Sequence, residues 1–137
     1  MNMLSTVAKA LSFVSVILLS GCGTMQVYEG PKRASHEVAV ITSNLLAGLF
    51  DTAYILQIDG KDLGATDDNV EVLPGKHTVK IGVSTGLGYQ QYIGNKTISF
   101  EAIAGHTYQV NGKIRKGDTF AWIEDKNTGE LVAGEKP

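Results

Sequence analysis

From residue 38 onward the apolar positions recur at every second residue. His77, Val79, Ile81 and Val83 share one face, with Thr78, Lys80 and Ser84 on the other. Ile98, Phe100 and Ala102 alternate with Thr97, Ser99 and Glu101, and Tyr108 and Val110 with Thr107, Gln109 and Asn111. Val70 and Val72 flank Glu71. Neighbouring side chains leave a strand on opposite faces, so this period predicts half-buried strands. Tyr54, Leu56 and Ile58 predict one more inward face, less cleanly because Ile55 falls between them. Val38 to Ile41 is continuously apolar and reads as a more deeply buried strand. Phe120 to Glu124, with Trp122 expected in the core, and Glu130 to Ala133 supply the last two.

The separators agree with that reading. Asp59-Gly60, Pro74-Gly75, Ala104-Gly105, Lys116-Gly117-Asp118 and Thr128-Gly129 are turn sequences, because Gly takes positive φ cheaply and Pro fixes φ. Short strands at regular spacing with such turns predict an all-β fold: a single small antiparallel β-sandwich of about seven or eight strands. Ser43 to Phe50 is the exception, a loop or short helix weakened by Gly48. A weak echo links Pro74-Gly75-Lys76-His77-Thr78-Val79 with Ala104-Gly105-His106-Thr107-Tyr108-Gln109-Val110. Two copies do not make a solenoid, and they predict two similarly built hairpins in one domain.

The first 37 residues follow a different pattern. Met1 to Lys9 holds one positive side chain, Ala10 to Leu19 is an apolar core, and Ser20-Gly21 are small. This is the layout of a secretory leader. The uncharged run is shorter than the ~20 apolar residues that span hydrocarbon, which disfavours a retained transmembrane helix. The run ends in Leu19-Ser20-Gly21-Cys22, which contains the chain's single cysteine. These four residues resemble the lipobox of bacterial lipoproteins. That resemblance implies cleavage before Cys22 and diacylglycerol on its sulfur, with fatty acyl chains such as palmitate. It implies a periplasm-facing envelope protein held to the membrane by covalent lipid. Gly23 stands where an Asp would hold such a protein at the inner membrane, so the outer membrane is favoured. The expected organisation is leader 1–21, lipidated Cys22 and tether 22–37, and sandwich domain 38–137. Tyr28 and Val27 are candidates to dock the tether.

Charge and cysteine content narrow the function. Without residues 1–21 the chain has 116 residues and a net charge of −3. Basic clusters no longer than Lys32-Arg33 or Arg115-Lys116 exclude the concentrated positive stripe that nucleic acid requires. A lone cysteine cannot form an internal disulfide, and a thioether to lipid explains it.

Ile58-Asp59-Gly60-Lys61, Gly64, and Leu73-Pro74-Gly75-Lys76-His77-Thr78-Val79-Lys80-Ile81 resemble the PEGA-type β-sandwich modules of bacterial envelope proteins, over roughly residues 53–110. The Pro-Glu-Gly-Ala tetrapeptide itself is absent. Val27 to Arg33 behind the cysteine, and the terminal Trp-Ile-Glu-Asp and Thr-Gly-Glu-Leu-Val stretches, also resemble a group of small proteobacterial lipoproteins. The resemblance implies an interaction module and no reaction.

The residues themselves favour no catalysis. His36, His77 and His106 lack the spacing of a metal site, so turn histidines are expected; His77, in phase with Val79, should point inward and bond turn carbonyls. Asp67-Asp68 read as solvated loop charges, because acid–base work needs paired pKa values pushed apart. No Ser lies in a nucleophile elbow. No cofactor is expected. Asn95-Lys96-Thr97 reads as an exposed turn. The candidate partner-contact loop is Ser84 to Tyr92, with Gly86 and Gly88 for mobility and Leu87, Tyr89, Gln90, Gln91 and Tyr92 for contact with an unknown envelope protein or a glycan. The expected role is a non-enzymatic interaction or structural module. The alternative is an accessory or inhibitor of an envelope enzyme, or a glycan- or peptidoglycan-binding module.

Overall fold

A computed structural model describes residues 24–45, 51–63, 69–85 and 92–137. Among the described residues ten strands form in chain order: β1 (Met25–Gln26), β2 (Ala39–Thr42), β3 (Asp51–Ile58), β4 (Lys61–Asp62), β5 (Asn69–Val72), β6 (Gly75–Thr85), β7 (Tyr92–Ala102), β8 (Thr107–Arg115), β9 (Asp118–Asp125) and β10 (Leu131–Gly134). A 3-10 turn, Ser35–Glu37, precedes β2. The leader, Cys22, and residues 46–50, 64–68 and 86–91 lie outside the described residues, and the expected Ser43–Phe50 loop or helix falls largely among them. Among the described residues no helix is long and apolar enough to cross a membrane.

The strands build two sheets in the orders β1-β5-β2-β8-β9-β10 and β4-β3-β6-β7. Their facing sides carry the core, which includes Ile41, Val70, Val79, Ile81, Val83, Tyr108, Val110 and Ile123. The all-β sandwich is as the alternation predicts. Two short strands, β1 and β4, are additional to it, and β1 lies within the expected tether. Most pairings are antiparallel, but β1–β5 and β2–β8 are parallel. Parallel neighbours need a crossover rather than a hairpin, so no local turn sequence announces them.

Local chemistry sets the tight turns. Asp59 and Gly60 both have positive φ (52° and 79°), as do Lys116 and Gly117 (52° and 84°). Two central residues at positive φ make the type I′ connection whose twist matches paired strands. These turns join β3 to β4 and β8 to β9.

Four expectations from the pattern are corrected. In β3 the buried residues are Ala53, Ile55 and Ile58, not Tyr54 and Leu56. A register shift between Ile55 and Gln57 inserts one residue, and a bulge switches the phase of the strand that follows. Tyr54 instead covers Gly82, its cross-strand partner, where a Cβ would stand 2.3 Å from the ring. Trp122 is half-buried on the outer face, since Ala121 and Ile123 take the inner one. Its indole donates to Glu124 at 3.0 Å, and the Lys136 ammonium lies 5.8 Å from the ring centroid. Asn95-Lys96-Thr97 is strand rather than turn, within the eleven-residue β7. The β6–β7 hairpin also runs further than expected, because Ser84 and Thr85 belong to β6 and Tyr92 opens β7.

Candidate functional surfaces

At one end of the sandwich, turn residues recruit both hairpin histidines. Gly75 and Gly105 begin the two echoed segments at positive φ (123° and 83°). His77 follows on β6, with Nδ1 2.6 Å from Asp59 Oδ2 and Nε2 2.6 Å from the Leu73 carbonyl. Asp59 Oδ1 also accepts the Thr78 amide. The turn-carbonyl bond expected of His77 is present. With both ring nitrogens occupied, the imidazole has none left for a substrate.

His106 repeats the arrangement in the other sheet. Its Nδ1 lies 2.7 Å from Asp125 Oδ2, while Asp125 Oδ1 accepts the Asn127 amide and Asn127 Oδ1 accepts the Thr107 amide. Asp125 is only 3% exposed. Burial raises its pKa, but the hydrogen bonds from His106 and the Asn127 amide, with the electrostatic attraction of the neighbouring imidazole, outweigh that and hold it below the usual carboxylate range. The buried carboxylate thus organises the β9–β10 turn and fixes the imidazole. A His–Asp pair is also half of a hydrolytic arrangement, whose nucleophile must lie within hydrogen-bond reach. Among the described residues no hydroxyl or thiol hydrogen-bonds either imidazole, and no three His, Cys, Asp or Glu side chains gather as a metal cage.

Tyr108 locks the same end from inside. Fully buried, its ring meets Phe100 edge-on at 4.8 Å, and its hydroxyl accepts the Ile103 amide at 2.8 Å. Burial pushes its pKa up, against that hydrogen bond, with the Asp125 charge adding to the rise. The hydroxyl is a structural clamp in neutral form.

The expected tether is docked where it is described. β1 pairs with β5, and the Val27 amide donates to the Glu71 carbonyl. Tyr28 donates to Glu71 Oε2 at 3.3 Å and accepts the Arg33 amide, while the Lys32 ammonium is 3.7 Å from Glu71 Oε1. Glu71, the polar residue between two apolar valines, is 7% exposed and thereby satisfied.

A cleft of about 380 Å³ runs along the seam between the sheets. Lys96 and Ile98 of β7 line one wall; Asp118, Thr119 and Phe120 of β9, with Glu135, line the other. Lys96 pairs with the fully buried Ile81, so its side chain leaves the sheet on the core face. An inward-pointing charge on an edge strand is a guard against edge-to-edge pairing. Beyond the seam, hydrogen bonding to Lys136 holds Glu124 below the usual carboxylate range, with Trp122 helping and burial opposing.

No protein-family model, curated protein or solved structure matches the chain. Of the expected site residues, Leu19, Ser20, Gly21 and Cys22 lie outside the described residues, as do Gly86, Leu87, Gly88, Tyr89 and Gln91. Tyr92 is the first residue of β7. Sequence reasoning missed the partners of the histidines, Asp59 and Asp125. Asp59 belongs to a recognised turn, and Asp125 opens the Asp-Lys-Asn-Thr-Gly turn. Their roles are set by residues 18 and 19 positions away.

Proposed function

We propose that the chain is an exported bacterial lipoprotein, moored through Cys22, whose folded part is a non-enzymatic interaction module of the cell envelope. The observation that carries this reading is the position of the single cysteine, directly after an apolar run and Leu19-Ser20-Gly21. The fold is compatible with it, since β1 begins at Met25, three residues beyond that cysteine. A non-enzymatic role is supported by His77, spent on a carboxylate and a carbonyl, and by His106, whose carboxylate also ties a turn. The likeness to PEGA-type modules over residues 53–110 belongs to the same reading. Glycan or peptide binding is a second reading, favoured by the seam cleft with Lys96, Asp118 and Glu135 around Phe120.

Expression in bacteria with labelled palmitate tests the first reading. The parent chain should take up label and lose residues 1–21, and Cys22→Ser should do neither. Full labelling of Cys22→Ser would refute the anchor.

A further inference from the structure

The parallel pairing of β2 with β8 brings together two histidines that are far apart in the chain. Ahead of the first paired residues, Val40 and Thr107, the two segments already run side by side. The Val40 amide donates to the His106 carbonyl at 3.0 Å, and the Gly105 amide to the Val38 carbonyl at 2.8 Å. The His36 Cα lies 3.9 Å from where a Cβ on Gly105 would stand. His36 and His106 therefore line one cavity of about 250 Å³, together with the hydroxyl-bearing Ser35 and Thr107. The His106 ring is fixed there. Asp125 holds its Nδ1 at 2.7 Å, and the ring stacks on Tyr108 with 6.3 Å between centroids. An ionised carboxylate has only acceptor oxygens, so in the neutral imidazole Nδ1 carries the proton and Nε2 the lone pair. Among the described residues nothing hydrogen-bonds His106 Nε2 or either ring nitrogen of the exposed His36. His77 is the contrast, with both ring nitrogens engaged.

We propose that His36 and His106 together bind a divalent transition-metal ion of the zinc and copper class, with Asp125 as the outer-shell carboxylate that orients His106. A carboxylate on one ring nitrogen, with the other open, is the arrangement that fixes the tautomer of a ligating histidine and raises its basicity. Imidazole suits zinc and copper, whereas magnesium and calcium take oxygen ligands. Zinc–imidazole bonds of about 2.0–2.1 Å require both ring nitrogens to converge on one ion. The exposed His36 side chain, which no hydrogen bond holds among the described residues, turns to meet an ion that the fixed His106 presents. Two imidazoles leave the other coordination positions to water, so the ion is exchangeable, unlike that of a closed four-ligand site. Sequence spacing hides such a pair, because neither histidine has a second ligand near it in the chain. The inference goes beyond the interaction-module reading and does not depend on the anchor at Cys22.

The test uses the untagged full chain in detergent, carrying Cys22→Ser so that no thiol competes for metal. Zinc is titrated calorimetrically with magnesium in excess, and copper is added below one equivalent while the histidine ring protons are followed by NMR. One saturable zinc site per chain is expected, and copper should broaden the His36 and His106 ring signals before those of His77. Asp125→Asn should weaken zinc binding about tenfold, the low end of what an outer-shell partner contributes. His36→Ala removes a ligand outright and should weaken it further, with an unchanged melting temperature in the absence of metal. Because that side chain is exposed and makes no hydrogen bond among the described residues, His36→Ala decides the question whether or not Asp125→Asn folds. Absence of saturable zinc binding overturns the site, as does zinc affinity unaltered by His36→Ala. Equal broadening of all three histidines would mean adventitious surface binding and overturns it as well. Parental affinity in a folded Asp125→Asn chain overturns the orienting role of the carboxylate. The lipid anchor stands or falls separately, on the palmitate experiment.

Discussion

Gly112 lies in β8 opposite Val83 of the other sheet, and the fit between them tests how the sheets pack. A Cβ at Gly112 would stand 2.4 Å from one Val83 methyl and 2.9 Å from the other. Carbon atoms in favourable contact lie about 3.5–4.0 Å apart, so Gly112→Ala must displace a fully buried valine. Overpacking of this kind costs about 1–3 kcal/mol. Replacing Gly in a strand returns about 0.5–1 kcal/mol of backbone entropy, which leaves a net loss of about 1–2 kcal/mol. Val83→Ala removes two buried methyl-sized groups at about 0.8 kcal/mol each. The cavity left behind raises that to about 2–3 kcal/mol. Independent effects would sum to about 3–5 kcal/mol in the double variant. The methyl introduced by Gly112→Ala instead occupies the space that Val83 vacates, so the double variant should lose only about 2 kcal/mol. Urea unfolding of the detergent-solubilised full chain, followed by the fluorescence of Trp122, the chain's one tryptophan, measures all four proteins. Additivity within about 0.5 kcal/mol would refute the interlocked packing.

Further outcomes follow from other contacts. Tyr108→Phe should cost about 1 kcal/mol in the same assay, since it removes the acceptor for the Ile103 amide while keeping the ring; an unchanged midpoint would show that water replaces the clamp fully. The folded pKa of Asp125 lies below its unfolded value, so its contribution to stability is present above about pH 4 and is lost as pH falls through the folded value. Asp125→Asn should therefore be less stable than the parent at neutral pH, with melting temperatures that converge on acidification; parallel curves would contradict the linkage. Lys96→Val removes the inward charge on β7 and should cause concentration-dependent self-association in sedimentation; a variant that sediments like the parent would remove the guard role.

How much was readable in advance differs residue by residue. The alternation of Val79, Ile81 and Val83 against Thr78 and Lys80 placed β6 correctly, and the Gly-containing turns marked the tight hairpins. The same method misassigned β3, because a bulge at Leu56 breaks the two-residue period that the method assumes. Trp122 was expected inside because its strand looks uniformly apolar. The choice of face went instead to Ala121 and Ile123, which fit between closely approaching sheets. The echo around His77 and His106 was visible, and its meaning was not. Each imidazole is defined by a carboxylate that a distant turn delivers.

The sequence alone determined the all-β class, most of the strands and the positions of their turns. Those properties arise from neighbouring residues: the alternation of side chains along an extended backbone and the φ freedom of glycine. Only the tertiary structure decided the parallel β1–β5 and β2–β8 pairings, the docking of Tyr28 on Glu71, the two His–Asp turn ties and the inward placement of Lys96. These depend on which strands meet across the whole chain, and hydrogen-bonding edges carry no address that local pattern can read.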